Sequence, residues 1–180
     1  MLPLAGVFSA EPVRAGESFW SIGGQWQADS GEPFTLQSLA NGPTVVAMFY
    51  TGCHVVCPTT VETMHWLEHN LSPVAARHCH FLLVTMDPGG DSAEELRAFR
   101  TAENLSAHWT LLRTSRRTTR TAADWLGVRF ESSAYHISHG SVVVVLDSSG
   151  QVVSRHSDPG ADLQKIREEL ERLAPMRAGN

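Results

Sequence analysis

Two runs, TVVAMFY at 44–50 and HFLLVTM at 80–86, constrain the fold of this chain more than any other feature. A strand with one wet face alternates apolar and polar residues. These runs are almost continuously apolar, rich in β-branched and aromatic side chains, which is the pattern of strands covered on both faces. Between them, from Pro58 onward, Val61, Met64, Leu67 and Leu71 recur at helical spacing. A strand, a helix and a second strand of this kind form a unit whose strands run parallel. The expected class is α/β.

The remaining punctuation extends that unit. Residues 1–20 read as a loose tail, leading into a glycine-rich, hairpin-like stretch up to residue 42. A helix is expected near Asp91, where either Asp91 with Glu94 or Ser92 with Glu95 can make a capping box, with Leu96 and Phe99 turned inward. WTLLR at 109–113 reads as a short strand, and SRRTTRTAADWLGV as a helix stopped by Gly127. SVVVVLD and QVVSRH, separated by Ser148, Ser149 and Gly150, read as an antiparallel hairpin. A last helix is expected to open at Asp158-Pro159 and to bury Leu163, Ile166, Leu170 and Leu173. The order matches a thioredoxin-like layer: a central mixed sheet flanked by helices, with an N-terminal hairpin extension. One domain is expected over 21–174, with a C-terminal tail at 175–180.

Composition removes several function classes. A net charge of -5 with 18% charged residues gives no basic surface for a phosphate backbone, so no nucleic-acid partner is expected. No stretch approaches the roughly 18 apolar residues of a membrane-spanning helix, and the first residues lack a basic n-region. Three cysteines cannot all pair within the chain.

Two of them, in GCHVVCPTT at 52–60, fall in the loop that leaves a buried strand and enters a helix. Active-site loops of open α/β sheets sit there. With Pro58 in the first helical turn, Cys57 is the expected N-cap, where the positive end of the helix favours thiolate. Three chemistries use such a loop. A dithiol oxidoreductase more usually has two residues between its cysteines and a proline facing them, and no proline lies between Pro88 and Pro159. VCPTT resembles the peroxidatic motif of peroxiredoxins, but Tyr50 and His54 stand where that family places proline and threonine. The third chemistry is metal binding, since two thiolates one helical turn apart share a soft ion such as Cu(I) when a neutral imidazole completes the site. His139, two residues ahead of the expected hairpin strand, lies where the topology brings it over the dithiol.

These segments together resemble the SCO/SenC family of thioredoxin-fold copper proteins. The resemblance covers roughly residues 21–173: the opening strands with C-x-x-x-C-P, TMDPGGDSAEELRAF as the D-P-x-x-D segment, and SHGSVVVVLDSSG as the D-H-S strand. It implies copper, as Cu(I) or Cu(II), held by Cys53, Cys57 and His139. The implied role is delivery of copper to, or reduction of the cysteines of, the copper A site of cytochrome oxidase or another copper protein. It also implies an exported, periplasmic protein, tethered to the membrane through an anchor outside this sequence. A thiol-disulfide oxidoreductase using Cys53 and Cys57 is the alternative, and the two activities can coexist. His54 and Val55 replace the family's usual proline and acid, Ser138 replaces the Asp before the histidine, and Gly89-Gly90 lacks the usual arginine.

Other side chains have plainer expectations. His54 and His136 are read as solvated loop residues, and His65 and His69, at i and i+4, as an exposed helix face rather than a metal pair. Cys79 is expected to be a packed core thiol and Asp87 a turn residue.

Overall fold

The computed structural model describes residues 18–53, 56–132 and 137–174. Its centre is the expected strand pair: β3 (Thr44–Phe49) lies parallel to β4 (His80–Thr85) with Thr44 opposite His80 and Phe49 opposite Thr85. Every residue of β3 is buried, as continuous apolar strands require when both faces are covered. β5 (Trp109–Arg113) extends the sheet in parallel beyond β4. On the other side β8 (Val143–Leu146) runs antiparallel to β3 and leads into β9 (Val152–His156). The N-terminal hairpin, β1 (Trp26–Ala28) with β2 (Pro33–Phe34), joins the β5 edge and completes the order β2-β1-β5-β4-β3-β8-β9. A separate two-stranded ribbon, β6 (Phe130–Ser132) with β7 (Ile137–His139), lies outside the main sheet.

The helices cover this sheet for reasons legible in their ends. α1 (Val56–Asn70) buries Val61, Met64 and Leu67. A short α2 (Pro73–His78) follows it, capped by the Ser72 hydroxyl and started by Pro73. In α3 (Ala93–Ala102) the capping box is Ser92 with Glu95. α4 (Arg116–Leu126) ends at Gly127, whose φ of 73° is the left-handed conformation that glycine adopts without penalty. Arg100 of α3 grips the buried Asp29 carboxylate and donates to the carbonyls of Ser106 (2.8 Å) and Trp109 (2.9 Å), which pins the hairpin extension to the α3 side.

Two expectations about boundaries are corrected. The last helix, α5 (Leu163–Leu173), starts at Leu163 and not at Asp158-Pro159. Asp158 instead closes a turn, accepting from the Ala161 amide (3.3 Å). Asp162 is drawn back to buried His156 of β9, whose Nδ1–H it accepts at 2.7 Å. The N-terminal tail also ends sooner than residue 20. Phe19 and Trp20 form a 3-10 turn with Ser21, capped by Ser18, and Phe19 packs edge-on against Trp20 and Trp125 with both ring centroids at 5.7 Å.

Phe19 is fully buried, so truncating it should behave as a core deletion. Phe19→Ala is expected to lower the free energy of unfolding by about 3–5 kcal/mol in urea melts. A loss under about 0.5 kcal/mol, as for ordinary surface positions, would return this residue to the tail.

Candidate metal centre

The loop between β3 and α1 starts with Tyr50 and reaches Cys53, which is 8% exposed and whose amide donates to the Tyr50 carbonyl at 3.1 Å. α1 begins at Val56, so Cys57 is its second residue and not the N-cap. His54 and Val55, which precede it, lie outside the described residues. First-turn residues sit among the unpaired amides at the positive end of a helix, so the shift by one position keeps Cys57 at that end. His139 closes β7, paired with Phe130, and precedes β8 by four residues rather than two, because that strand starts at Val143. The side chains of Cys57 and His139, and the whole of His136, lie outside the described residues.

Contacts between described residues join the segments that carry these residues. The Tyr50 hydroxyl donates to the Ile137 carbonyl at a long 3.4 Å, and the hydroxyls of Thr60 and Ser141 meet at 2.9 Å. Tyr50 stands three residues before Cys53 and Thr60 three after Cys57, while Ile137 and Ser141 flank His139 by two residues on each side. The cysteine loop and the histidine strand are thus tied at both ends. Tyr50 and Thr60 are buried. Sequence reasoning missed this pair, although a tyrosine ending a buried strand needs a partner for its hydroxyl.

Beneath the loop lies Asp91, 2% exposed. The sequence offers it as a helix cap, but Ser92 takes that work, and the Asp91 carboxylate turns inward instead. It accepts from the Thr51 amide at 3.2 and 3.3 Å, from the Thr51 hydroxyl at 2.5 Å and from the Thr85 hydroxyl. Burial pushes its carboxyl up from the ordinary range, and the bonds from Thr51 and Thr85 pull against that rise. The Thr85 hydroxyl also accepts from the Asp87 amide (2.9 Å), and Asp87 in turn accepts from the Gly90 amide (3.0 Å). A Cβ on Gly90 would stand 2.3 Å from Asp87 Oδ2, so a side chain there would displace the Asp87 carboxylate. Asp87 is the turn residue expected.

Elsewhere, Cys79 is fully buried, and burial, reinforced by Glu68 and Glu171, drives its thiol far above the ordinary range, as expected of an inert core thiol. His65 and His69 differ from expectation. Only His69 is exposed; His65 is partly buried against the Trp109 ring, with centroids 4.9 Å apart.

A mixed sheet flanked by helices, with a cysteine loop at the end of a central strand, defines a thioredoxin-like α/β protein. Residues 17–175 match the SCO1/SenC family, and the chain belongs to it. Among solved structures, a SCO1/SenC family lipoprotein from Bacillus anthracis str. Ames superposes with a TM-score of 0.71 at 24% identity, covering 83% of this chain and 91% of that one. The copper-bound ScoI of Bradyrhizobium japonicum gives a TM-score of 0.71 at 19% identity, covering 83% of this chain and 96% of that one. A Stutzerimonas stutzeri protein named for copper binding is 26% identical over 68 residues, which are 38% of this chain and 33% of that relative. The match thus spans about a third of the relative's length.

Removing the Asp91 carboxylate would strand buried donors, so Asp91→Ala is expected to cost about 2–4 kcal/mol of unfolding free energy. The pH dependence has a definite sign. Because the folded carboxyl titrates above the unfolded one, the folded state takes up its proton first as pH falls towards about 4, and stability rises there relative to Asp91→Asn. Denaturant melts of both proteins from pH 7 to pH 4 check this; a constant difference would remove the buried carboxylate.

Proposed function

We propose that this chain carries one copper ion as cargo between Cys53, Cys57 and His139, and serves in assembly of the copper A site of cytochrome oxidase or of another copper protein. The observation that carries the reading is the pair of contacts, Tyr50 to Ile137 and Thr60 to Ser141, that hold the cysteine loop against the histidine strand. The donor set fits: two thiolates satisfy Cu(I), and an imidazole adds the harder nitrogen that Cu(II) requires. The family membership and the copper-bound relative support the same choice. Likeness to a lipoprotein supports an extracytoplasmic, membrane-tethered location. Among the described residues no helix is long and apolar enough to cross a membrane.

The position of Cys57 in the first turn of α1 favours a second use of the same pair. Its thiolate attacks a client disulfide, forming a mixed disulfide and releasing one client thiolate. Deprotonated Cys53 then attacks the Cys57 sulfur, releasing the second client thiolate. Two electrons pass to the client, and the pair is left as a disulfide that no longer offers thiolates to copper.

Reduced protein is expected to bind about one Cu(I) per chain, measured by competition with a chromophoric chelator. Cys53→Ser and Cys57→Ser should each lose it, because a hydroxyl does not replace a soft ligand, whereas Cys79→Ser should keep the stoichiometry. Unchanged affinity in Cys57→Ser would end the copper reading. His139→Ala separates the two uses: it should abolish the thiolate-to-Cu(II) charge-transfer absorption and leave disulfide reduction nearly intact. If the variant keeps the parent's Cu(II) spectrum and affinity, the dithiol reading takes its place.

A further inference from the structure

On the opposite half of α1 from the cysteine end, His65, Glu68 and His69 each bring one ligand atom to within 4.8 Å of the others. Their spacing, H-x-x-E-H, puts them on one helix face, about 12 Å or more along the axis from Cys57. The hydrogen bonds around them decide which atoms are available. His65 Nε2 meets the Glu103 carbonyl at 3.0 Å, and His69 Nδ1 meets the His65 carbonyl at 2.8 Å. A carbonyl only accepts, so each of these nitrogens carries the proton. The lone pairs of the neutral rings are therefore on His65 Nδ1 and His69 Nε2.

A ring that donates one N–H to a backbone carbonyl and presents the other nitrogen is the usual outer support of a metal-bound histidine. Glu68 is supported in the same way. Its Oε1 accepts from the Ser106 hydroxyl (2.5 Å) and its Oε2 from the Trp109 indole N–H (2.7 Å). That leaves Oε2 facing His65 Nδ1 at 3.6 Å. Two electron-rich atoms face each other there, an arrangement that a cation between them stabilises.

We propose that His65, Glu68 and His69 form a second metal site, for a borderline divalent ion of the Zn(II) type, separate from the cysteine loop. Two imidazoles and a carboxylate suit Zn(II) rather than Cu(I), and three protein ligands leave a fourth position for water. Ligand bonds of about 2.0–2.1 Å place neighbouring donor atoms of a tetrahedral site roughly 3.3 Å apart. The exposed His69 ring closes the remaining gap by turning, exchanging its bond to the His65 carbonyl for one to the metal. Glu68 is fixed by Ser106 and Trp109, so it serves as a ligand here and not as a base acting on bound water.

The site does not rest on the copper reading, and its test keeps the two apart. The Cys53→Ser/Cys57→Ser chain is titrated with Zn(II) against a chromophoric chelator, while the five tryptophan indole N–H signals are followed by 1H–15N NMR. The expected result is one Zn(II) per chain, with the Trp109 signal, assigned through Trp109→Phe, shifting up to one equivalent. Adding His65→Ala or His69→Ala should weaken binding about tenfold or more and suppress that shift; adding His108→Ala should change neither. His69 is exposed, so its loss tests the site even where His65→Ala disturbs packing. Absence of Zn(II) binding, or full affinity and an unchanged Trp109 response in the His69→Ala chain, overturns the site.

Discussion

A carboxylate buried at the end of the central strands is the constraint around which the functional edge is arranged. β3 and β4 are apolar through their middles, and the polar group at the loop end of the pair is the Thr85 hydroxyl that closes β4. Asp91 supplies the anchor from the start of α3, binding Thr51 of the cysteine loop and Thr85 at the end of β4. Burying a carboxylate costs free energy, and several donors converging on it offset that cost. The arrangement fixes the first residues of the loop, and hence Cys53, without using the cysteine and histidine side chains of the proposed site.

α1 extends this order along its own length. Its first turn holds Cys57, its second turn ties to Ser141 through Thr60, and its later turns lean on Trp109, Glu103 and Ser106 through His65 and Glu68. The same residue type occupies opposite surroundings in two places. Cys79 sits in apolar surroundings near the carboxylates of Glu68 and Glu171, so its thiolate is suppressed. Cys57 lies in the first turn of α1, among the unpaired amides at the positive end of the helix. Cysteine chemistry in this chain is decided by placement.

The strands were legible because continuous apolar runs admit few alternatives, and the turns at Gly127 and Gly150 because both residues have positive φ. The cysteine loop was legible because its place between a buried strand and a helix follows from periodicity alone. What escaped was decided by contacts between residues far apart in the chain. Asp91 and Ser92 both suit a helix start, and only the fold shows that Thr51, forty residues earlier, claims the aspartate. Asp158-Pro159 is a good local start signal, but the buried His156 draws in Asp162, and the helix begins beyond it. Phe19 and Trp20 lack a periodic partner in sequence; their partner is Trp125 and the turn at Ser148 and Gly150. His65 and His69 read as a solvated face because Trp109 and Glu103, which hold His65, come from the far side of β4 and α3.

The family's usual acid between the two cysteines is absent here, with His54 and Val55 in its place and that of the proline. The electrostatic consequence follows from counting charge. Two thiolates, one Cu(I) and a neutral imidazole sum to a single negative charge, and an acid in the loop would add a second. Without it, the positive end of α1 acts on a less negative centre, and the thiolates are less basic towards protons that compete with the metal. On the proposed reading, the loop of this chain therefore balances thiolate charge with the helix terminus, without the further negative charge that an acid between the cysteines would add.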